Sequence, residues 1–348
     1  MQQHSVSKPN ANQHTFKSSN YAQVCAHYTA LLSEHYTWTF GGSAARVKLQ
    51  HAMLATDLAS HLSMTPSDQE NTSLDQENTV LDLEYHSKAL DLGCGSGFQT
   101  LPLLQLGFAV TAIDQSSHLL NELTLAANTL SINPLPLQCI QTDLLEYSAK
   151  CPAESMNVIV CMGDTATHLA SITEVSSLLT NSFRILLPAG KLILQFRDLT
   201  NPLLGTDRFI PIRSDDRTVF TCFLEWDTTN CNNTEGRECK ITDCNHTDGL
   251  DCKTTTCNNN TEVDVDLNAT TCNNTKGDGT GCQITVHDLV HVKKGIGAWE
   301  LCKSSYKKIG MTRVYACRLL VNIGFVLESV DDESGNIKIV CTKPVNPV

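Results

Sequence analysis

Three carboxylates, each ending a short apolar run, are the first residues in this chain whose types and spacing suit chemistry. Asp91 ends "KALD" and leads through Leu92 into Gly93, Cys94, Gly95, Ser96 and Gly97; Asp114 ends "FAVTAID" 23 residues later; Asp143 ends "LPLQCIQTD". Glycines at alternate positions let the backbone turn tightly and let a ligand lie against bare main chain. A carboxylate in the place of Asp114 can accept both hydroxyls of a ribose. One in the place of Asp143 can accept a hydrogen bond from an adenine amino group. A nicotinamide dinucleotide fits less well, since its fingerprint needs the third glycine one place later, where Phe98 stands. A plainer reading is open too: Asp91 could cap a turn and Asp114 the helix that follows it. Their joint placement at successive run ends is what favours a ligand.

The elements that must hold these residues alternate in type. Strands are expected at 88–95, 108–114, 135–143, 156–164 and 190–198, with helices at 99–107, 116–130 and 172–187 between them. Strands separated by helices of that length imply parallel βαβ units in a doubly wound α/β sheet. Beyond residue 216 the pattern changes to antiparallel strands at 217–226, 283–292 and 298–308. A helix at 312–323 and a closing strand pair complete the chain. The expected organisation is an N-terminal helical segment or lid over 1–84, a core over 85–216, an antiparallel extension over 217–311 and a C-terminal return to the core over 312–348.

Bulk properties narrow the partners. A formal charge of −12 and a pI near 5.4 oppose nucleic acid, whose phosphates demand a basic face, and offer nothing to an anionic membrane surface. No window approaches the roughly 18 uninterrupted apolar residues of a membrane span. The first twenty residues do not read as a secretory signal. A cytoplasmic setting is expected, where thiols stay reduced. Seven of the 16 cysteines fall within 227–282, in units such as "CNNTEGRECKITD" and "CNHTDGLDCKTTT". Their spacings lack the tight Cys-x2-Cys pairs of structural zinc sites, so no metal is expected there. The segment reads as a disordered low-complexity insert in a hairpin loop. Oligomeric state is left open.

Together "ALDLGCGSGFQT", "VTAIDQSS", "IQTDLLE" and "VIVCMGD" resemble the ordered motifs of class I S-adenosylmethionine-dependent methyltransferases, over roughly residues 85–200. The resemblance implies a seven-stranded sheet whose last strand is antiparallel, and S-adenosylmethionine as cofactor. It places Gly93, Gly95 and Gly97 against the methionine part, Asp114 on the ribose, and Asp143 with Leu144 around the adenine. Asp91, Cys94, Gln115, Met162 and Gly163 join the cofactor-binding set.

The acceptor is less well marked. There is no Asn-Pro-Pro-aromatic or Asp-Pro-Pro-aromatic box after the fourth strand, which together with the charge speaks against DNA. "CMGDTATHLAS" is instead similar to small-molecule N-methyltransferases of the glycine/sarcosine type, although those carry Asn where this chain has Asp164. In "LILQFRDLT", Arg197 matches the arginine with which they hold a substrate carboxylate. The resemblance thus implies N-methylation of a small polar, carboxylate-bearing metabolite. If the acceptor is an amine, it must lose a proton before attack, and Asp164 or His168 could receive it; Asp164 could equally contact the methionine amino group of the cofactor, the role slightly favoured for it. Tyr36 and Trp38, in "EHYTWTFGG", and Tyr306 are weaker candidates for the pocket rim. Two alternatives stand beside this: transfer to a thiol, metalloid or protein acceptor through the cysteine-rich insert, or a cofactor-binding module without catalysis.

Overall fold

A computed structural model describes residues 31–62, 87–129, 137–227, 280–295, 297–333 and 335–345. The cysteine-rich repeat and the "DQENT" duplication lie outside the described residues, apart from the insert's flanks at Asp227 and 280–282.

Two sheets carry the structure. The first is seven-stranded: β1 (Lys88–Leu92), β2 (Ala109–Asp114), β3 (Leu137–Gln141), β4 (Met156–Cys161), β5 (Leu186–Arg197), β10 (Val326–Glu333) and β11 (Asn336–Thr342). Its order is β10-β11-β5-β4-β1-β2-β3, with parallel pairing from β5 to β3 and antiparallel pairing of β11 to β5 and to β10. The doubly wound sheet with an antiparallel closing strand, expected from the sequence, is therefore present. Its order reverses at β1, between β4 and β2. Side chains of β1 beyond Lys88 are buried on both faces, as a strand covered by helices requires.

Helices clad both faces. On one side α7 (Ile172–Ile185) and α8 (Arg313–Ile323) bury Leu178, Leu179 and Leu320 against Leu90, Ile159 and Leu194. On the other, α2 (Ser43–Asp57), followed by the single turn α3 (Ala59–Leu62), packs with α4 (Thr100–Gln105) and α5 (Ser117–Thr129). There Leu54, Leu101 and Leu123 meet Ala89, Val158 and Ile193. Local signals fix the ends. Ser171 caps α7 by accepting from the Glu174 N–H at 3.2 Å, while Glu174 accepts from the Ala170 N–H at 2.8 Å, a variant of the capping box. Thr312 caps α8, and Gly324 at φ 115° ends it.

The second sheet, β6 (Phe209–Ser214), β7 (Thr218–Trp226), β8 (Gln283–Lys294) and β9 (Ala298–Ile309), is wholly antiparallel in the order β6-β7-β8-β9. Strand β6 is not among the strands expected from the sequence. It holds Pro211 and lies at an edge, where a residue without an N–H is tolerated. Along β8 the burial alternates, so Ile284, Val286, Asp288 and Val290 face inward and Thr285, His287 and Leu289 outward. The inner face meets the carboxyl edge of the first sheet. Trp226 donates from Nε1 to the Leu199 carbonyl at 2.7 Å, and Leu224, Ile284, Val286 and Tyr306 form a small core with Leu199. Farther along, Phe220 and Val290 pack with Leu32 of helix α1 (Leu31–Thr39) and touch Tyr36 and Trp38. Among the described residues no helix is long and apolar enough to cross a membrane.

Candidate active site

The glycine loop joins β1 to α4, and its three glycines serve different ends. All have positive φ: 75° at Gly93, 54° at Gly95 and 91° at Gly97. A Cβ on Gly93 would lie 2.4 Å from Thr165 Cγ2, and one on Gly97 would lie 2.3 Å from Leu123 Cδ1. These two positions are bare so that the turn after β4 and the helix α5 can approach. Over Gly95 the nearest atom is the Tyr36 hydroxyl, 3.0 Å from where a Cβ would be. The Gly95 N–H donates to Asp114 Oδ2 at 2.9 Å, and the Ser116 N–H donates to Oδ1 at 2.8 Å. Each carboxylate oxygen keeps a second lone pair for a hydroxyl donor. Burial pushes the Asp114 carboxyl upward against the pull of these N–H bonds.

The other cradle residues cluster around this loop. Asp91 is buried, accepts from the Thr100 hydroxyl at 2.6 Å, and is pushed up to about 7 by burial, with Asp114 adding to the rise. Cys94 and Met162 are buried; burial raises the Cys94 thiol well above its usual value. Asp143 is the N-cap of α6 (Leu144–Lys150), where its Oδ1 accepts from the Leu145 and Glu146 N–H groups. Its Oδ2 accepts from Gln115 Nε2 at 3.3 Å, which ties the ends of β2 and β3 together. The capping role open to Asp114 in the sequence falls instead to Ser116, whose hydroxyl accepts from the Leu119 N–H at 3.3 Å at the start of α5. Leu144 is buried beside it, and Gly163 is exposed at the end of β4.

The residues expected on the acceptor side are drawn together in part. Asp164 has φ 72° and its Oδ2 pairs with Lys308 Nζ at 2.9 Å, while Oδ1 accepts the Arg197 N–H at 2.5 Å. Burial alone would raise this carboxyl. The Lys308 charge and hydrogen bond override it, with Arg197 and His168 helping, and hold it at about 2. His168 stacks on Tyr306 with ring centroids 5.1 Å apart. The Arg197 side chain is exposed at the end of β5. Tyr36 stacks on Phe98 at 5.8 Å, over the glycine loop, and burial followed by Asp114 raises its phenol. Trp38 turns away and donates to Asp215 Oδ2 at 2.8 Å, under the Arg213 guanidinium.

Several participants are not singled out by the sequence. Thr37 donates to Glu122 at 2.6 Å and lies 3.2 Å from the Ser96 hydroxyl, clasping α1 to the glycine loop and α5. Lys308 is buried against Asp164, and Cys222 donates from Sγ to Asp288 Oδ1 at 3.0 Å. The alternation of "QITVHDLVHV" is the signal that could have found Asp288: it is a carboxylate in the inward register of an otherwise apolar strand face. Among the described residues no group of three or more His, Cys, Asp or Glu is arranged to hold a metal ion.

Residues 90–194, which include most of β1, the glycine loop, β2, β3, β4 and most of β5, match a protein family described as a methyltransferase domain. This part of the chain is a methyltransferase domain. Its cofactor is S-adenosylmethionine. Among solved structures, the CcbJ methyltransferase from Streptomyces caelestis superposes with a TM-score of 0.57 at 14% identity, covering 91% of this chain and 98% of that one. DesVI from Streptomyces venezuelae gives 0.51 at 12% identity, covering 91% and 100%. At such identities the likeness speaks to the fold alone. A search of curated proteins found no match. The residues of the methyltransferase domain fit its cofactor: the loop turns through three positive φ angles, and the half-buried carboxylate of Asp114 has acceptor capacity to spare.

Proposed function

We propose that the protein transfers a methyl group to an amine nitrogen of a small polar acceptor, held between the carboxyl ends of β4 and β5 and the inner face of the antiparallel sheet. One observation carries this reading. The turn Thr165–His168 after β4 abuts the glycine loop through Thr165 and Gly93, and joins the antiparallel sheet through Asp164–Lys308 and His168–Tyr306. A methyl donor on the loop and an acceptor under the sheet would meet across that turn. Ligands of open α/β sheets bind outside the strands' carboxyl ends, where the order reverses.

We assign Asp114 and Gln115 to the ribose, Asp143 and Leu144 to the adenine, and the main chain from Gly93 to Gly97, with Met162 and Gly163, to the methionine part. Bound there, S-adenosylmethionine supplies a methyl carbon already activated by its sulfonium. The chain's task is then to align the nitrogen with that carbon and keep water out. Helix α1, laid over Gly95 through Tyr36, would serve the second need. An ammonium has no lone pair, so the acceptor must give up a proton before attack. We assign that proton to His168, since Asp164, held at about 2 chiefly by Lys308 against the push of burial, is a poor base near neutrality. The exposed guanidinium of Arg197 offers a planar fork suited to a carboxylate on the acceptor, in keeping with the resemblance to glycine/sarcosine-type enzymes.

Calorimetric titration with S-adenosylmethionine tests the reading. The folded protein should bind saturably, and Asp114→Ala should weaken binding about ten-fold or more, the cost of losing charged hydrogen-bond acceptors. A folded wild type that binds no S-adenosylmethionine would end it.

A further inference from the structure

The inner face of β8 is apolar except at one position. Val286 belongs to the patch that includes Tyr306 and rests on Leu199 after β5; Val290 belongs to the patch formed with Leu32 and Phe220 and bordered by Tyr36 and Trp38. Between them stands Asp288, 1% exposed. One flanking patch thus leads to Tyr306 and its stacking partner His168, and the other to Tyr36 over Gly95. A valine or leucine at 288 would join the two patches into one core. A carboxylate there is costly to desolvate, and burial pushes it up to about 6 even with the Cys222 thiol and the Lys308 charge beside it. Buried carboxylates shifted in this way concentrate at sites that recognise ligands or move protons.

We propose that Asp288 is the residue that recognises the acceptor, taking hydrogen bonds from its amine nitrogen, with Cys222 fixing the orientation of the carboxylate. The proposal rests on the methyl-transfer reading above and names the substrate class of that site: a cationic small amine. Two polar contacts, and the charge of two cations between them, tie the position to the methyl-transfer turn. Cys222 donates to Asp288 at 3.0 Å, Cys222 lies within electrostatic reach of both Lys308 and Arg197, and Lys308 pairs with Asp164 at 2.9 Å. With Lys308 bound to Asp164, the two carboxylates have different tasks. Asp164 holds the antiparallel sheet to the turn, and Asp288 lies in the inward register of β8, on the same sheet face as Tyr306 and Lys308. Arg197 and Asp288 would together read an acceptor bearing both a carboxylate and an amine.

The test uses Asp288→Asn in the full chain, which keeps the shape and removes the charge. Three quantities are measured: the melting temperature, S-adenosylhomocysteine affinity by calorimetry, and methyl transfer from S-adenosylmethionine to glycine, ethanolamine, putrescine and glucosamine. We expect a melting temperature equal to or above that of wild type, since a buried charge has been removed. S-adenosylhomocysteine affinity should be unchanged, and KM for the best amine should rise about ten-fold or more, as expected for a lost charged hydrogen bond. A merely structural carboxylate would give the opposite pattern, a lowered melting temperature with KM untouched, and that result overturns the proposal. So does a wild type that binds S-adenosylmethionine but methylates none of these amines. Failure to bind S-adenosylmethionine at all would instead sink the methyl-transfer reading, because Asp288 lies outside the cofactor cradle. Cys222→Ser, which retains a donor, should behave as wild type, while Cys222→Val should move toward Asp288→Asn.

Discussion

The two sides of the candidate active site are built on opposite principles. On the cofactor side the working surface is main chain: three glycines in the positive-φ region, with carboxylates at strand ends held by backbone N–H groups. On the acceptor side it is side chains: an ion pair, a histidine stacked on a tyrosine, and a thiol on a carboxylate, all projecting between two sheets. A backbone surface suits a ligand that never changes. A side-chain surface on a separate sheet can be altered residue by residue without disturbing the cradle. The division is testable, because changes on one side should leave the other intact.

Lys308→Met makes the hardest attempt to break it. The Lys308 and Asp164 side chains are 9% and 19% exposed, so removing the lysine strands a buried carboxylate. Breaking such a pair costs roughly 3–5 kcal/mol. Denaturant unfolding should show that loss, while the surviving folded protein keeps its S-adenosylmethionine affinity. The pH dependence has a definite sign. Asp164 is held at about 2 by Lys308 against burial, below its ordinary 3.8, so its stabilising share is full above pH 4 to 5 and vanishes as pH falls toward 2. That share is about 2 kcal/mol. Wild type should lose it on acidification; Lys308→Met should have none to lose. If cofactor affinity collapsed along with stability, the two sides would not be separable.

Gly97→Ala attacks from the cofactor side. The new methyl group would meet Leu123, a fully buried side chain, at 2.3 Å, on a residue with φ 91°. Backbone strain and overpacking together should cost about 2–3 kcal/mol. S-adenosylmethionine affinity should fall as the loop shifts, whereas the outer hairpin β7–β8 should keep its amide protection in hydrogen exchange. Equal loss of protection in both sheets would contradict the division.

The same contrast explains what is legible in the sequence. The cradle is local: Asp91 to Gly97 is one uninterrupted stretch, and each following carboxylate ends a recognisable strand, so periodicity and turn chemistry are enough. The acceptor side is assembled from residues far apart in sequence. Asp164 and Lys308 are separated by 144 positions and Cys222 and Asp288 by 66; the register of the antiparallel sheet sets Cys222 opposite Asp288, and docking of that sheet on the first brings Lys308 to Asp164. Asp164 shows the consequence. Its motif suits a proton acceptor and a contact for the methionine amine alike, and its ion pair depends on a strand far downstream. Pro211 hides β6, because proline in a short run argues against a strand unless that strand is at an edge. The clasp made by Thr37 is equally invisible, since Glu122 and Ser96 enter from separate elements.

The smallest effect concerns charge within the cradle. Asp91 is pushed up to about 7, first by burial and then by Asp114, against the hydrogen bonds from Thr100. A sulfonium brought close favours the ionised form and lowers that value, so binding S-adenosylmethionine should release a proton from Asp91. Affinity should accordingly rise as pH increases through about 7, by roughly three- to ten-fold between pH 6 and 8, the range set by how strongly the sulfonium favours the carboxylate over the carboxylic acid. S-adenosylhomocysteine is the control: it has the same amino and carboxyl groups but a neutral sulfur, so the difference between the two ligands isolates the sulfonium. Asp91→Asn should flatten that difference while leaving S-adenosylhomocysteine binding near its wild-type value. A difference that kept its slope in Asp91→Asn would assign the charge sensitivity to the acceptor side. The cradle would then recognise shape alone, and discrimination between the charged cofactor and its neutral product would belong to the side chains of the second sheet.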